Sequence, residues 1–238
     1  MPAAPLEILR FAAIPVVATL VGGAIAARRA PSPRTRSMIQ HFAAGVVLAA
    51  VAGEVVPELL HHHSPVPTAI GFALGVAAML GVKALTGGEE AEEQRSPRRM
   101  LTVVGIDVSI DGLLIGVGFA AGAKQGMLLT IALTLEVLFL GVATCTALRR
   151  SGVGEGRAIA SVAGLAGLLL VGATAGALLQ SVLTGHVLVG VLGFSSAALL
   201  YLVVEELLVE AHEVPETPLS TAVFFLGFLV LFLVEMMA

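Results

Sequence analysis

The amino-acid sequence predicts an all-α membrane protein, one bundle of eight transmembrane helices in which helices 1–3 and 6–8 are inverted repeats around a central helix pair, 4–5. Three observations predict it: the composition, a series of long apolar runs, and a self-similarity between two of those runs. Of 238 residues, 57% are hydrophobic and only 13% charged, with a mean hydropathy of +0.98. No soluble domain of this size needs so much apolar surface to build one core. The runs cover roughly 6–27, 38–60, 67–86, 100–122, 125–148, 158–182, 185–209 and 218–237, each about 18 residues or longer, as a helix crossing the hydrocarbon layer requires. The connections are short, so residues 1–238 read as a single transmembrane domain. The first run opens on Glu7 and is followed at once by further spans, so it is expected to remain a helix and not to be cleaved as a leader.

Positive charge sets the orientation. Arg28, Arg29, Arg34 and Arg36 follow the first run, Lys83, Arg95, Arg98 and Arg99 surround the third connection, and Arg149, Arg150 and Arg157 surround the fifth. Only Arg10 and Lys124 lie elsewhere. The positive-inside rule therefore places the odd connections in the cytoplasm and both termini outside, in an inner or plasma membrane. The acidic seventh connection, AHEVPETP, falls on the same side, because acidic residues weigh little in that rule. The third connection, GGEEAEEQRSPRR, reads as a solvated linker. No basic patch interleaved with aromatics is present, so nucleic acid is not an expected partner. The lone Cys145 allows no intrachain disulfide and reads as a small apolar helix residue.

The self-similarity joins the second and seventh runs. HFAAGVVLAAVAGEVVPEL (41–59) aligns with GFSSAALLYLVVEELLVEA (193–211) at a constant offset of 152, pairing Phe42 with Phe194, Leu48 with Leu200, Glu54 with Glu206 and Glu58 with Glu210. One run climbs where the other descends, which makes the pair inverted. Inverted repeats around a central pair are common in transporters.

The fourth run, GIDVSIDGLLIGVGFAAG (105–122), raises the question of chemistry. An aspartate at the centre of a spanning helix costs about 2.5–3.5 kcal/mol on insertion scales, so Asp107 and Asp111 must face protein or water. At i and i+4 they share one helix face, about 6 Å apart along the axis. Two carboxylates so placed repel each other when ionised; either one holds a proton or a cation sits between them. Glu136 is the only acid in the fifth run, and Glu54 and Glu206 occupy matching depths in the two repeats, with Glu210 one turn beyond. Every Lys and Arg lies near a run's end, so no internal salt bridge is expected to neutralise this set. Protons or metal cations remain. Gly105, Gly112, Gly116 and Gly118 read as packing positions in the fourth run, and Pro57, three residues after Glu54, frees a backbone carbonyl in the second.

The segments FAAGVVLAAVAGEVVPE, DVSIDGLLIGVGFAAG and SSAALLYLVVEELLVEAH resemble the corresponding parts of the ZIP family of divalent-metal transporters, and the resemblance covers most of the chain. Members of that family carry His-Asn-x-Pro-Glu-Gly in run four. In run five a second motif begins with His or Gln, followed by an acid or Asn and then x-Pro-Glu or x-Pro-His; together the two hold zinc or iron, often as two adjacent metals. With Gly112 on the motif glycine, Asp111 takes the glutamate position and Asp107 the histidine position, while Val108 and Ile110 replace asparagine and proline. With Gly141 on the motif glycine of run five, Glu136 takes the first ligand position, and Val137 and Leu140 stand where further ligands would be. Glu206 falls on the acidic ligand of run seven. The resemblance thus implies a first metal position of Asp107, Asp111 and Glu136 and a second that has mostly lost its ligands. Glu206, together with Glu54 and Glu210 from the acids read off the runs themselves, completes the candidate metal-handling set.

The expected function is therefore divalent-cation transport by alternating access, with no prosthetic group and with the metal ion (zinc, iron or manganese) as substrate. An all-oxygen set suits harder ions such as manganese, magnesium or calcium and binds ferrous iron, whereas imidazole suits zinc, nickel and copper. The expected partners are the metal cation, the lipid bilayer and a second copy of the chain in a homodimer. The alternative is a ZIP-like protein whose acids handle protons only or serve as interhelical hydrogen-bond partners. His61, His62 and His63, outside and next to Glu58, read either as a cation-gathering entrance or as a solvated loop. His212 with Glu210, Glu213 and Glu216 reads as a polar cytoplasmic mouth, and His41 and His186 as interfacial residues. An enzyme is not expected. Intramembrane aspartyl proteases draw their dyad from two helices, and Ser109, Ser195 and Ser196 have no base at matching depth; Ser109 is expected to bond a backbone carbonyl.

Overall fold

The computed structural model describes residues 5–28, 31–86, 97–179 and 182–237; Arg29, Arg95 and the acidic part of the third connection lie outside them. The described residues form eight helices long and apolar enough to cross a membrane, and no strand. These are α1 (Pro5–Arg28), α2 (Pro33–His62), α3 (Pro65–Thr86), α4 (Pro97–Ala121), α5 (Ala123–Arg150), α6 (Glu155–Leu179), α7 (Gly185–Ala211) and α8 (Pro218–Met237). The chain is therefore an all-α integral membrane protein. Several helices reach beyond their apolar runs because polar end signals extend them. Ser32 caps α2, its hydroxyl accepting from the Thr35 N–H at 3.1 Å, and Pro33 occupies the first turn, where its missing N–H costs nothing. Five of the eight helices begin at a proline.

Packing sorts the helices into a wall and a centre. The lipid-facing sides of α3 and α8 carry exposed Ile70, Leu74, Phe225, Leu229 and Leu233, as expected where the solvent is hydrocarbon. The most enclosed helices are α2, α5 and α7. The pairings follow a pattern: α1 packs on α5 as α6 packs on α4, and α3 packs on α7 as α8 packs on α2. Each pairing becomes its counterpart when helices 1–3 are exchanged for 6–8 and 4 for 5. Close approach depends on small residues. A Cβ at Gly112 would run into the Leu169 carbonyl and the Ala173 amide of α6, and one at Gly116 would meet Gly176 and Ala177, so the glycines of α4 serve packing, as their spacing suggests.

Two wide turns interrupt the central helices. Residues Val51–Val55 of α2 and Leu202–Leu207 of α7 are π-helical. At their ends the Val56 N–H donates to the Val51 carbonyl and the Leu208 N–H to the Val203 carbonyl, an i to i−5 bond in each case and separated by the same offset of 152 that relates the two sequences. Each carries the matched glutamate, Glu54 or Glu206. Pro57 has no N–H to return to α2, yet α7 makes the same turn with Val209 at the equivalent position. The proline is therefore not what the two turns share.

Candidate functional site

The acid-bearing face of α4 meets α5 inside the bundle. Asp107, Asp111 and Glu136 each present a carboxylate oxygen, and the three oxygens lie within 4.8 Å of one another. Asp111 and Glu136 are buried at 3% and 2% exposure, and Asp107 is partly buried. No N–H or hydroxyl donor reaches Asp111 Oδ2 or Glu136 Oε2, and the two carboxyls instead meet each other side chain to side chain. The nearby hydroxyls do not supply one: Ser109 donates to the Gly105 carbonyl at 2.6 Å, Thr130 to Gly126 at 2.7 Å and Thr134 to Thr130 at 2.6 Å. These side chains bond their own helix, as expected for hydroxyls in apolar helices. A buried polar oxygen without a donor is costly, and three acids so close together cannot all ionise unless a proton or a cation lies among them.

Glu136 also faces the other way. With Gln40 of α2, Phe139 and Leu140 of α5, and Leu202, Glu206, Leu207 and Glu210 of α7, it lines a cavity of about 30 Å³, room for about one small occupant. Gln40 donates from Nε2 to Glu210 Oε2. Glu206 and Glu210 therefore share a cavity between α2, α5 and α7 with Glu136, the acid that also stands beside the two aspartates.

Glu54 stands in a different group. Its Oε1 lies 3.9 Å from Lys124 Nζ at the start of α5, and Lys124 also donates to the backbone carbonyl of Glu235 at 3.3 Å. Gly53 makes room for the Glu235 carboxylate, whose oxygens occupy the place a Cβ would take. The expectation that no basic residue reaches the intramembrane acids is corrected here for Glu54. Lys124 sits at a helix end, but its long stem brings the ammonium inward. The inverted direction of α7 explains why the sequence pair separates: Glu54 lies toward the end of α2, and Glu206 toward the end of the oppositely directed α7, so equal offsets lead to opposite ends of the bundle.

At the end of the bundle where α1 gives way to α2 and α7 to α8, a second polar group forms. Arg36 pairs with Glu213, Ser37 Oγ donates to the Ala211 carbonyl at 2.6 Å, and the His41 and His212 rings meet edge to face at 5.4 Å. Lys83 pairs with Glu205 at 2.6 Å on the same side. Among the histidines that end α2, His62 Nε2 lies 3.3 Å from Glu58 Oε1, while His63 closes the helix in the left-handed region at φ 48° and its Nδ1 meets the His61 carbonyl at 2.8 Å. His63 thus caps α2, and His61 and His62, expected in the connection, are its last helical residues.

Sequence reasoning did not select Gln40, Glu235 or the contact of His41 with His212. Glu235 had a usable signal, an acid inside the last apolar run. Gln40 and the histidine contact had none, because residues about 170 positions apart meet only through the fold. No protein-family model matches the chain, and no curated protein matches it.

Proposed function

We propose that the protein carries divalent metal cations across the membrane, with Asp107, Asp111 and Glu136 as the transient binding site. The observation that supports this reading best is the three-acid group in which buried oxygens of Asp111 and Glu136 are reached by no N–H or hydroxyl donor. Metal coordination uses such lone pairs, and the oxygen-only donor set suits a hard ion. Partly buried Asp107 is the first ligand from the α4 side, and Glu136 hands the ion to the cavity shared with Glu206 and Glu210. The exchange pattern in the helix pairings and the two matched π-turns support alternating access, in which one repeat moves against the other around a fixed site. The resemblance of runs two, four and seven to the ZIP family agrees with this reading, as does placing the basic end in the cytoplasm.

Uptake into proteoliposomes tests the proposal. Wild-type protein is expected to accumulate Mn²⁺, with Asp111→Asn and Glu136→Gln each lowering the rate at least about tenfold, the low end of the loss seen when metal sites lose supporting groups. Uptake equal to that of protein-free vesicles would reject transport. A pH-dependent signal with no metal flux would instead favour an acid site that handles protons only.

A further inference from the structure

The polar end of the bundle holds a second group of metal-ligating side chains, separate from the three acids and of different chemistry. His41, His212 and Glu216 each offer one ligand atom, and these atoms lie within 4.8 Å of one another. His41 is buried, at 3% exposure, on the first half of α2; His212 and Glu216 are exposed, just past the end of α7. We propose that these three side chains form a metal-binding site of two imidazoles and one carboxylate that takes a zinc-class ion.

His41 is already oriented for a ligand. Its Nδ1 lies 2.8 Å from the Ser37 carbonyl oxygen, and a carbonyl only accepts, so Nδ1 bears the hydrogen. That fixes the tautomer and leaves the Nε2 lone pair for a ligand, the orientation that backbone carbonyls impose on metal-binding histidines. Across from it, His212 Nε2 lies 2.5 Å from Glu216 Oε1, so imidazole and carboxylate already converge. The contact joins residues i and i+4 across a turn that leaves α7 at Ala211, and the His41 ring packs against His212. Ligands about 2.0–2.2 Å from a tetrahedral zinc ion stand roughly 3.3 Å apart, so a bound ion would open the direct His212–Glu216 contact, both of whose side chains are exposed. The neighbouring Arg36 does not repel a cation here, because Glu213 neutralises it.

The donor set separates this site from the buried acids. Two nitrogens and one oxygen favour zinc, cobalt or nickel, whereas the all-oxygen cluster favours manganese or magnesium. Gln40 and Glu210 lie between the two groups, Gln40 next to His41 in sequence and hydrogen-bonded to the glutamate two residues before His212. The histidine site therefore adjoins the cavity that Gln40 and Glu210 line, and a bound ion ties the start of α2 to the connection between α7 and α8.

Cobalt provides the test, since its d–d absorption reports nitrogen ligation and coordination number. Purified protein carrying Asp111→Asn and Glu136→Gln, which removes the buried site, is titrated with Co²⁺ alone and then with Zn²⁺ as competitor. One Co²⁺ per chain with absorption in the tetrahedral or five-coordinate range, displaced by Zn²⁺, is expected. Adding His212→Ala is expected to abolish that absorption, and Glu216→Gln to weaken affinity at least about tenfold. Zn²⁺ is also expected to raise the melting temperature of the parent double variant and not that of the His212→Ala form. His212 and Glu216 are exposed, so both variants keep the fold; circular dichroism checks this. Absence of Co²⁺ binding in the double variant, or absorption unchanged by both His212→Ala and Glu216→Gln, would overturn the proposal. Because the buried acids are already disabled, failure of the transport reading leaves this result intact, and the reverse also holds.

Discussion

The two acidic groups inside the bundle differ in whether a basic side chain stands beside them. Glu54 and Glu235 lie with Lys124, whose ammonium is 3.9 Å from Glu54, so that group brings its own cation. Among the described residues only acids stand as charged neighbours of Asp107, Asp111 and Glu136, and two of their oxygens are buried beyond reach of any N–H or hydroxyl donor. The first group is a structural ion pair near one end of the bundle; the second is complete only when a proton or a metal enters it. Rarity alone does not make the acids of a membrane bundle equivalent. What matters is whether the fold supplies the counter-charge.

The largest expected effect separates the two groups by function. Asp111→Asn is predicted to reduce metal uptake at least about tenfold, while Glu54→Gln, which leaves the three-acid cluster intact, is predicted to change it less than about twofold; initial uptake rates in proteoliposomes check both. Equal losses would dissolve the distinction. Next comes ion preference. Asp107→His places imidazole in an oxygen-only set and is predicted to raise uptake of zinc relative to manganese by about tenfold, because nitrogen favours zinc over harder ions; competition uptake in vesicles measures the ratio. An unchanged ratio would remove Asp107 from the ligands.

A packing test comes third. Gly112→Leu forces a side chain against the Leu169 carbonyl of α6, and overpacking of this kind costs about 1–3 kcal/mol. It is predicted to lower the thermal midpoint by about 2–12 °C, taking about 2–4 °C per kcal/mol for a chain of this size, and differential scanning fluorimetry in detergent reads it. The smallest effect belongs to the paired group. Lys124 is 45% exposed, so its ion pair is discounted to about 0.2–1 kcal/mol, and Lys124→Ala is predicted to lower the midpoint by no more than about 4 °C with metal affinity unchanged.

Much of this was legible in the sequence, and the reasons are specific. The eight helices follow from run length, because hydrocarbon allows only closed hydrogen-bonding backbones. Asp107 and Asp111 fall on one face by helical period alone, and Glu136 stands out as the single acid of its run. The polar ends were less legible: α2 begins at Pro33, five residues before its apolar run, because Ser32 and Pro33 start a helix that hydropathy does not see. The π-turns at Glu54 and Glu206 have no residue signature, since an i to i−5 bond is a backbone choice set by neighbouring helices. The capture of Glu54 by Lys124 depends on how far a lysine stem bends inward, and the meeting of His41 with His212 depends on the ends of α2 and α7 coming together.

The most direct test of the central claim is the number of Mn²⁺ ions held by the purified protein, measured by equilibrium dialysis with the free ion followed by electron paramagnetic resonance. Wild-type and Glu54→Gln protein are predicted to hold the same number, and Asp111→Asn, Glu136→Gln protein one fewer per chain, with affinity in the first two weakening as pH falls because carboxylates must be deprotonated to coordinate. Equal Mn²⁺ binding by all three proteins, or a loss confined to Glu54→Gln, would contradict the assignment of the metal to the acids that have no cation of their own.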